Sequence, residues 1–276
     1  MRLDSRAAAA GVRLSSHEVL DSTNAEALRL ARAGECGPLW VTARTQTAGR
    51  GRRGRAWVSE PGNLYASLLL KEPSPPRCAA QLSFVAALAA HDAAAELAGP
   101  GAPLMLKWPN DLLHGGAKLA GILVEAEGSF VVVGIGVNCA HHPEHTPYPA
   151  TDLQACGTQV SPEDLFDRLS ACMLWRLSQW ERGDGFHVIR TEWLARAFGL
   201  GQDIRVTTAE RQFAGLFETL DEAGRLILQL PDGRREMVTA GEVFPIVQGA
   251  ALDPAQPTSI AGTSSLRALS AKEATP

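Results

Sequence analysis

The chain has 276 residues, of which 45% are hydrophobic and 20% charged, and its net charge is −4. This composition is typical of a folded globular protein and excludes both a largely disordered chain and one that is basic throughout. The length suits a large domain with a smaller one attached. The five cysteines are odd in number and lack CxxC spacing, which favours reduced thiols over a disulfide framework or a zinc cluster.

The first half of the chain predicts short strands and two helices. A helix begins within 21–26, where Thr23 and Glu26 match a capping box, and it ends near Gly34. A second, alanine-rich helix from Arg77 to Leu97 carries polar residues throughout, which predicts a buried helix of a soluble protein and not a membrane span. Strands are predicted at 39–41, 64–70, 104–108, 118–125 and 130–133.

The second half changes from helical to strand periodicity. A helix is predicted to begin at Ser161, which is followed by a proline and two acidic residues. Its apolar residues repeat at helical spacing as far as Trp180. A shorter helix follows, from Phe186 to Ala197, and the segments after it alternate as strands: 203–207, 212–220, 226–230 and 236–238. We therefore predict a larger domain over 1–199, a small β-barrel over 200–249 and a disordered tail over 250–276.

One segment concentrates positive charge in an otherwise acidic chain. It reads Gly49-Arg50-Gly51-Arg52-Arg53-Gly54-Arg55 and is called the arginine loop below; no acidic residue lies between Cys36 and Ser59. Glycines let the backbone approach a ligand closely, and arginines present planar donors to phosphate or carboxylate oxygens. The loop is predicted to cover an anionic ligand, although a solvated basic turn or an RNA contact has the same composition.

Three further motifs carry polar residues at strand ends. Lys107-Trp-Pro-Asn-Asp111 places an amide and a carboxylate after a strand, which suits a phosphate or a metal but is also ordinary turn chemistry. Lys118-Leu-Ala-Gly-Ile-Leu-Val-Glu125 puts a lysine on an apolar strand, where it faces either a ligand or solvent at a sheet edge. The third, Gly134-Ile-Gly-Val-Asn138, lacks the last glycine of a dinucleotide-binding fingerprint.

The order and spacing of five motifs resemble those of the biotin protein ligase family. They are Asp21-Ser-Thr-Asn, Gln46-Thr-Ala followed by the arginine loop, and the three motifs above, within a match over about 20–248. The resemblance implies an α+β fold: a mixed, largely antiparallel sheet with helices, related to class II aminoacyl-tRNA synthetases, plus a small C-terminal β-barrel. The catalytic domain that binds biotin and ATP would be 1–199.

The resemblance also implies an AMP-forming ligase with two steps. Biotin and ATP, with Mg²⁺, give biotinyl-5′-AMP and pyrophosphate, and a lysine of a biotin carboxyl carrier domain then takes the biotinyl group. Lys118, Arg52 and Asp111 are the implied catalytic residues, with Asp111 also the candidate magnesium ligand. The implied biotin contacts are Ser22, Thr23, Asn24, Gln46, Arg50, Gly51, Arg52 and Lys118. The implied nucleotide contacts are Arg50, Arg53, Arg55, Trp57, Lys107, Asn110 and Asn138.

Other functions stay open at this point. Lipoate or octanoate attachment uses a related fold, but the arginine loop and the C-terminal barrel favour biotin. An RNA-binding protein would carry more than one Gly/Arg motif and aromatic residues within it. A biotin-binding module without catalysis would not need Lys118 with Asn110 and Asp111. Only 20 residues precede Asp21, too few for a three-helix DNA-binding domain, so we expect no DNA binding. We also expect no membrane binding, a cytoplasmic location, and either a monomer or a homodimer.

Overall fold

The larger of two β-sheets has seven strands. The computed structural model describes residues 1–246, so the predicted tail over 250–276 and the end of the predicted barrel domain lie outside it. The strands are β1 (Arg13–Leu20), β2 (Leu39–Gln46), β3 (Leu64–Lys71), β4 (Leu104–Lys107), β5 (Asp111–His114), β6 (Ala117–Glu127) and β7 (Phe130–Val137). They follow the order β1-β2-β3-β7-β6-β5-β4, with β1 and β2 parallel and the other neighbours antiparallel.

Helices cover both faces of this sheet. The helices are α1 (Ser5–Ala9), α2 (Thr23–Arg32), α3 (Leu82–Ala98), α4 (Pro162–Trp180) and α5 (Phe186–Leu194). Ala27 and Leu28 of α2 pack on Val41 and Val132 on one face. On the other face α3 and α4 share a second hydrophobic cluster with side chains such as Trp40. Period-two alternation of the strands explains why neighbouring residues belong to different clusters.

The alanine-rich helix α3 lies inside the protein. Together with the 3₁₀ turns before it, Pro76–Ala98 is the one segment of the described chain with the length and apolar composition of a membrane span. In its most apolar stretch, 61% of the residues are buried inside the protein. Small side chains such as Ala86 and Ala90 let α3 lie close to the sheet and to α4.

Five antiparallel strands form the second sheet. They are β8 (Asp203–Thr207), β9 (Gln212–Leu220), β10 (Leu226–Gln229), β11 (Arg235–Val238) and β12 (Glu242–Pro245), in the order β11-β10-β9-β8-β12. Within the described residues the pairing runs from β11 to β12, so closure into a barrel stays a prediction. The indole N–H of Trp108 donates to the carbonyl of Gly224 at 3.0 Å and joins this sheet to the end of β4. The α+β fold class is confirmed.

The structure corrects three local predictions. Strand β7 continues to Val137, because Gly134 and Gly136 stay paired with β6 instead of leaving the sheet. Asp111 is the first residue of β5 and not part of a free turn, since it pairs with Gly121 of β6. The N-cap of α2 is Ser22, whose hydroxyl accepts the N–H of Ala25; the predicted capping box at Thr23 was wrong.

Candidate active site

A pocket of about 350 Å³ opens on the α2 face of the large sheet. The predicted residues that line it are Ser22, Thr23, Asn24, Gln46, Arg50, Gly51, Arg52, Arg55, Trp57, Lys107, Asn110, Asp111, Lys118 and Asn138. The structure therefore brings together side chains that are more than 110 positions apart in the chain. Arg53 differs: its side chain is exposed outside the pocket, and its backbone has a φ of 57°.

One end of the pocket is polar and buried. The N–H of Thr23 donates to Gln46 Oε1 at 2.8 Å, and Gln46 Nε2 donates to the hydroxyl of Ser59 at 2.9 Å. The hydroxyl of Ser67 lies 2.7 Å from Thr23 Oγ1 and 2.6 Å from Asn24 Oδ1. These hydrogen bonds hold the start of α2 against β2 and β3. Neutral donors and acceptors at this end can bind a polar, uncharged group of a ligand.

Two glycines let an indole lie flat on the sheet. Gly121 and Gly136 are cross-strand partners in β6 and β7. A Cβ atom on Gly136 would lie 2.7 Å from Trp57 Nε1, and one on Gly121 would lie 3.1 Å from Trp57 Cζ3. Lys118 Nζ lies 5.4 Å from the centre of the same ring. The absence of side chains at both positions therefore fixes where Trp57 can stand beside the lysine.

A buried carboxylate is shared by two lysines. Asp111 Oδ1 lies 2.6 Å from Lys118 Nζ, and Oδ2 lies 3.0 Å from Lys107 Nζ. Burial alone would raise the pKa of Asp111, but the two ammonium groups outweigh it and hold the pKa below its usual range. The side chain of Lys118 is 27% exposed, against 6% for Lys107. Lys118 is therefore the more accessible of the two cations to a ligand.

The arginine loop reaches both sheets. Arg50 Nη2 lies 3.3 Å from Glu125 Oε1 on β6. Arg52 donates to Asn110 Oδ1 at 3.1 Å and to the carbonyl of Gly241 at 3.4 Å. Burial lowers the pKa of Arg52 from its ordinary value, and the charge of Asp111 opposes that change. These contacts place the loop across the mouth of the pocket.

The same loop is fastened to the second sheet. Arg55 Nη2 lies 2.5 Å from Glu242 Oε1, at the first residue of β12. The contact lies beside the carbonyl of Gly241 that Arg52 reaches. The second sheet therefore forms part of the pocket wall.

Sequence reasoning missed Tyr148 and Phe244. Their ring centres are 6.2 Å apart, and both residues line the pocket. Lys107 Nζ lies 4.0 Å from the centre of the Tyr148 ring. Burial raises the pKa of Tyr148 to about 12, with a smaller effect from Asp111. Neither residue belongs to a motif, and Phe244 comes from the other sheet, so no local signal could have identified them.

The residues present do not form a resident magnesium site. Both oxygens of Asp111, the predicted ligand, face ammonium groups. Residues 1–246 contain no group of three histidine, cysteine, aspartate or glutamate side chains that could hold a metal ion. Mg²⁺ prefers several oxygen ligands and usually keeps some of its water. Any magnesium in this pocket would therefore have to arrive with its own oxygen ligands.

Comparisons with known proteins define the class of this site. Residues 17–140 match the Biotin/lipoate A/B protein ligase family, and residues 199–244 match the Biotin protein ligase C terminal domain. A biotin–[acetyl-CoA-carboxylase] ligase of Paracoccus denitrificans is 47% identical over 235 residues, which cover 81% of this chain and 97% of that protein. The chain belongs to the biotin protein ligase family.

Further relatives agree with this assignment. A biotin–[acetyl-CoA-carboxylase] ligase of Mycobacterium tuberculosis is 36% identical over 80% of this chain and 85% of its own length. The solved structure of biotin protein ligase from Aquifex aeolicus in complex with biotin and ATP is similar, with a TM-score of 0.73 at 26% identity. That similarity covers 84% of this chain and 97% of the other chain.

Proposed function

We propose that this chain joins biotin to a lysine of a biotin carboxyl carrier domain, such as that of acetyl-CoA carboxylase. In the first step a carboxylate oxygen of biotin attacks the α-phosphorus of ATP. The bond from that phosphorus to the bridging oxygen of the β-phosphate breaks, and pyrophosphate leaves. In the second step the neutral amine of the carrier lysine attacks the carbonyl carbon of biotinyl-5′-AMP. The carbon–oxygen bond to phosphate breaks, AMP leaves, and the amine loses a proton.

The observation that carries this proposal is a set of cations around one pocket that also has a polar, uncharged end. Lys107, Lys118, Arg50, Arg52 and Arg55 all line it. Biotin carboxylate and ATP repel each other, so their approach needs cations placed in advance. Such a site favours attack because it needs little rearrangement when charge moves towards the leaving phosphate.

The polar end of the pocket favours biotin over a straight acyl chain. Ser22, Thr23 and Asn24 are each at most 5% exposed, and Gln46 lies beside them. A ureido ring offers two N–H donors and a carbonyl acceptor to such groups, whereas an octanoyl chain has no polar atom to offer at this end of the pocket. Lipoate or octanoate attachment is therefore the weaker alternative for this member of the family.

Each motif has a proposed role. Ser22, Thr23, Asn24 and Gln46 bind the ring of biotin, and Lys118 contacts the carboxylate and then the adenylate. Arg50, Gly51 and Arg52 close over both, which excludes water from the reactive anhydride. The proposed nucleotide contacts are Arg50, Arg55, Trp57, Lys107, Asn110 and Asn138. Arg53, which the sequence also predicted, is left out because its side chain lies outside the pocket.

Asp111 is proposed to act on the acceptor lysine. The pKa of a lysine in solution is about 10.4, so the acceptor amine enters mostly protonated. Asp111 stays ionised between two ammonium groups, and a carboxylate there can orient the incoming amine. Mg²⁺ enters with the phosphates of ATP, as part of the substrate. We place the reaction in the cytoplasm, which suits ATP and five unpaired cysteines.

The test is the release of pyrophosphate by the purified chain. The protein is mixed with ATP, Mg²⁺ and either biotin, lipoate or octanoate at equal concentration. Release that depends on biotin, and is at least about 100-fold slower with the other two acids, is the expected result. Equal or faster release with lipoate or octanoate would overturn the choice of substrate, and no release with any of the three acids would overturn the ligase assignment.

A further inference from the structure

We propose that Glu125 is a positioning residue that connects the polar end of the pocket to the arginine loop. The inference rests on the proposed function and adds a residue to it. Glu125 Oε2 accepts hydrogen bonds from Asn24 Nδ2 at 2.7 Å and from Arg50 Nη2 at 3.4 Å, and Oε1 lies 3.3 Å from the same Arg50 nitrogen. A single carboxylate thus contacts a residue of the pocket floor and a residue of its cover.

The contact with Asn24, together with a longer hydrogen bond from Nδ2 to the carbonyl of Leu123, determines which way the amide points. A carboxylate only accepts hydrogen bonds, so it binds the Nδ2 end and leaves Oδ1 at the hydroxyl of Ser67. The amide lies close against the backbone of Gly134, where a Cβ atom would lie 2.3 Å from Asn24 Oδ1, so this position has to be glycine. Asn24 is 3% exposed. Glu125 therefore keeps a carbonyl oxygen over Gly134, where it can accept an N–H from a bound ring.

The contact with Arg50 holds the other end of the connection. The Arg50 side chain is 42% exposed and Glu125 is 30% exposed, so this pair lies at the rim of the pocket. Among residues 1–246, Glu125 is the acidic partner of Arg50. Without this partner, water would solvate the Arg50 guanidinium, and the arginine loop would contact β6 in a smaller fraction of molecules.

The chain offers a matched control two residues away. Glu127 lies on the same strand and the same face as Glu125. It is paired with Arg32 on the outer side of α2, and its side chain is 46% exposed. Glu127→Gln therefore removes the same charge from the same strand without touching Asn24 or Arg50.

The experiment compares Glu125→Gln with Glu127→Gln and the parent protein. Calorimetry with biotin alone should give about a 10-fold weaker Kd for Glu125→Gln and a change below about 2-fold for Glu127→Gln. In steady-state pyrophosphate release, Glu125→Gln should raise the KM for biotin by a similar factor and leave kcat within about 2-fold. In an Arg50→Gln background, adding Glu125→Gln should have less effect than it has alone.

Binding of biotin by Glu125→Gln as tight as by Glu127→Gln would overturn this inference. A fall in the kcat of Glu125→Gln with its KM for biotin unchanged, accompanied by a lower melting temperature, would also overturn the inference. That pattern indicates a structural role. A failure of the proposed function can be told apart from a failure of this inference. In the first case the parent protein would release no pyrophosphate, while the binding of biotin by the variants could still be compared.

Discussion

Lys118 and Asp111 form a buried ion pair at this site before any ligand binds. The carboxylate is 8% exposed and meets an ammonium at each oxygen. Sequence analysis singled out Lys118 and Asp111 from separate motifs. It could not show that they touch, because their contact depends on the pairing of β5 with β6. In the sequence, Asp111 follows proline and asparagine as it would in an ordinary turn.

Replacing Lys118 with methionine should abolish the first step. We expect Lys118→Met to slow adenylate formation by roughly 100- to 1,000-fold, as for other lost charge-stabilising donors. It should also lower the free energy of unfolding by about 2 kcal/mol, because Asp111 loses a charged partner. The double variant Lys118→Met/Asp111→Asn separates the two effects: it should recover much of the stability and none of the rate. Recovery of the rate would contradict the role of Lys118.

Replacing Asp111 with asparagine should act mainly on the second step. Asp111→Asn keeps the size of the side chain and removes its charge, so we expect transfer to the carrier lysine to slow by about 100-fold. Adenylate formation should slow by less than about 10-fold, since Lys107 and Lys118 remain. The two half-reactions are measured separately, the second with preformed biotinyl-5′-AMP. Equal losses in both would count against this role.

At the scale of elements, the paired glycines of β6 and β7 determine where Trp57 lies. A methyl group on Gly136 would meet the indole at 2.7 Å, so Gly136→Ala should push the ring off the sheet. We expect the KM for ATP to rise about 10-fold, equivalent to 1.4 kcal/mol, together with a change in tryptophan fluorescence. In a Trp57→Ala background the same substitution should change the KM for ATP by less than about 2-fold. Equal effects in both backgrounds would show that Trp57 is not the residue displaced.

The contact between α3, α4 and α5 contains a buried ionic network. Arg176 is 5% exposed and lies 2.7 Å from Asp92 and 2.8 Å from Glu192. Burial alone would raise the pKa of Asp92, but the hydrogen bond with His91 and the charge of Arg176 outweigh it and lower the pKa. An aspartate has a pKa of about 3.9 in the unfolded chain. Its contribution to stability is therefore present above that pH and is lost as the pH falls through the lower, folded pKa.

Acid denaturation tests this network. Asp92→Asn has no carboxyl to protonate, so its urea midpoint should fall less between pH 6 and pH 3 than that of the parent protein. At pH 6 the variant should be the less stable protein, because Arg176 loses a partner. Glu96→Gln on the same helix is the control, since Glu96 is 57% exposed and lies 3.9 Å from Arg168; it should follow the parent at both pH values. A midpoint that falls equally in all three proteins would contradict the assignment to Asp92.

Periodicity predicted most of the longer elements, although not β1, and it missed the short strands β5 and β12. The hairpin of β6 and β7 and the helix that begins after Ser161 could be predicted because apolar residues repeat over many positions. Strand β5 has four residues and a continuous apolar centre, which lacks the alternation of a half-buried strand. Strand β12, also four residues long, is defined by its pairing with β8. Such strands depend on distant partners, so local sequence carries little information about them.

At the scale of the whole molecule, the second sheet takes part in the site. Side chains from both sheets belong to one hydrophobic cluster, and Trp108, Arg52 and Arg55 reach residues near or within the second sheet. The sequence predicted β8 to β11 of this sheet, but neither β12 nor the position of its residues Glu242 and Phe244 in the pocket lining. We propose that the segments 1–199 and 200–249 are nevertheless separate structural domains, held together by these contacts.

The most direct test asks whether activated biotin stays in the pocket. The protein is incubated with ATP, Mg²⁺ and labelled biotin, passed through a desalting column, and then mixed with a biotin carboxyl carrier domain in the absence of ATP. If the cationic pocket and the arginine loop retain the adenylate, an equimolar amount of label will remain with the protein and will pass to the carrier lysine. Loss of the label on the column, or retention without transfer, would contradict the account.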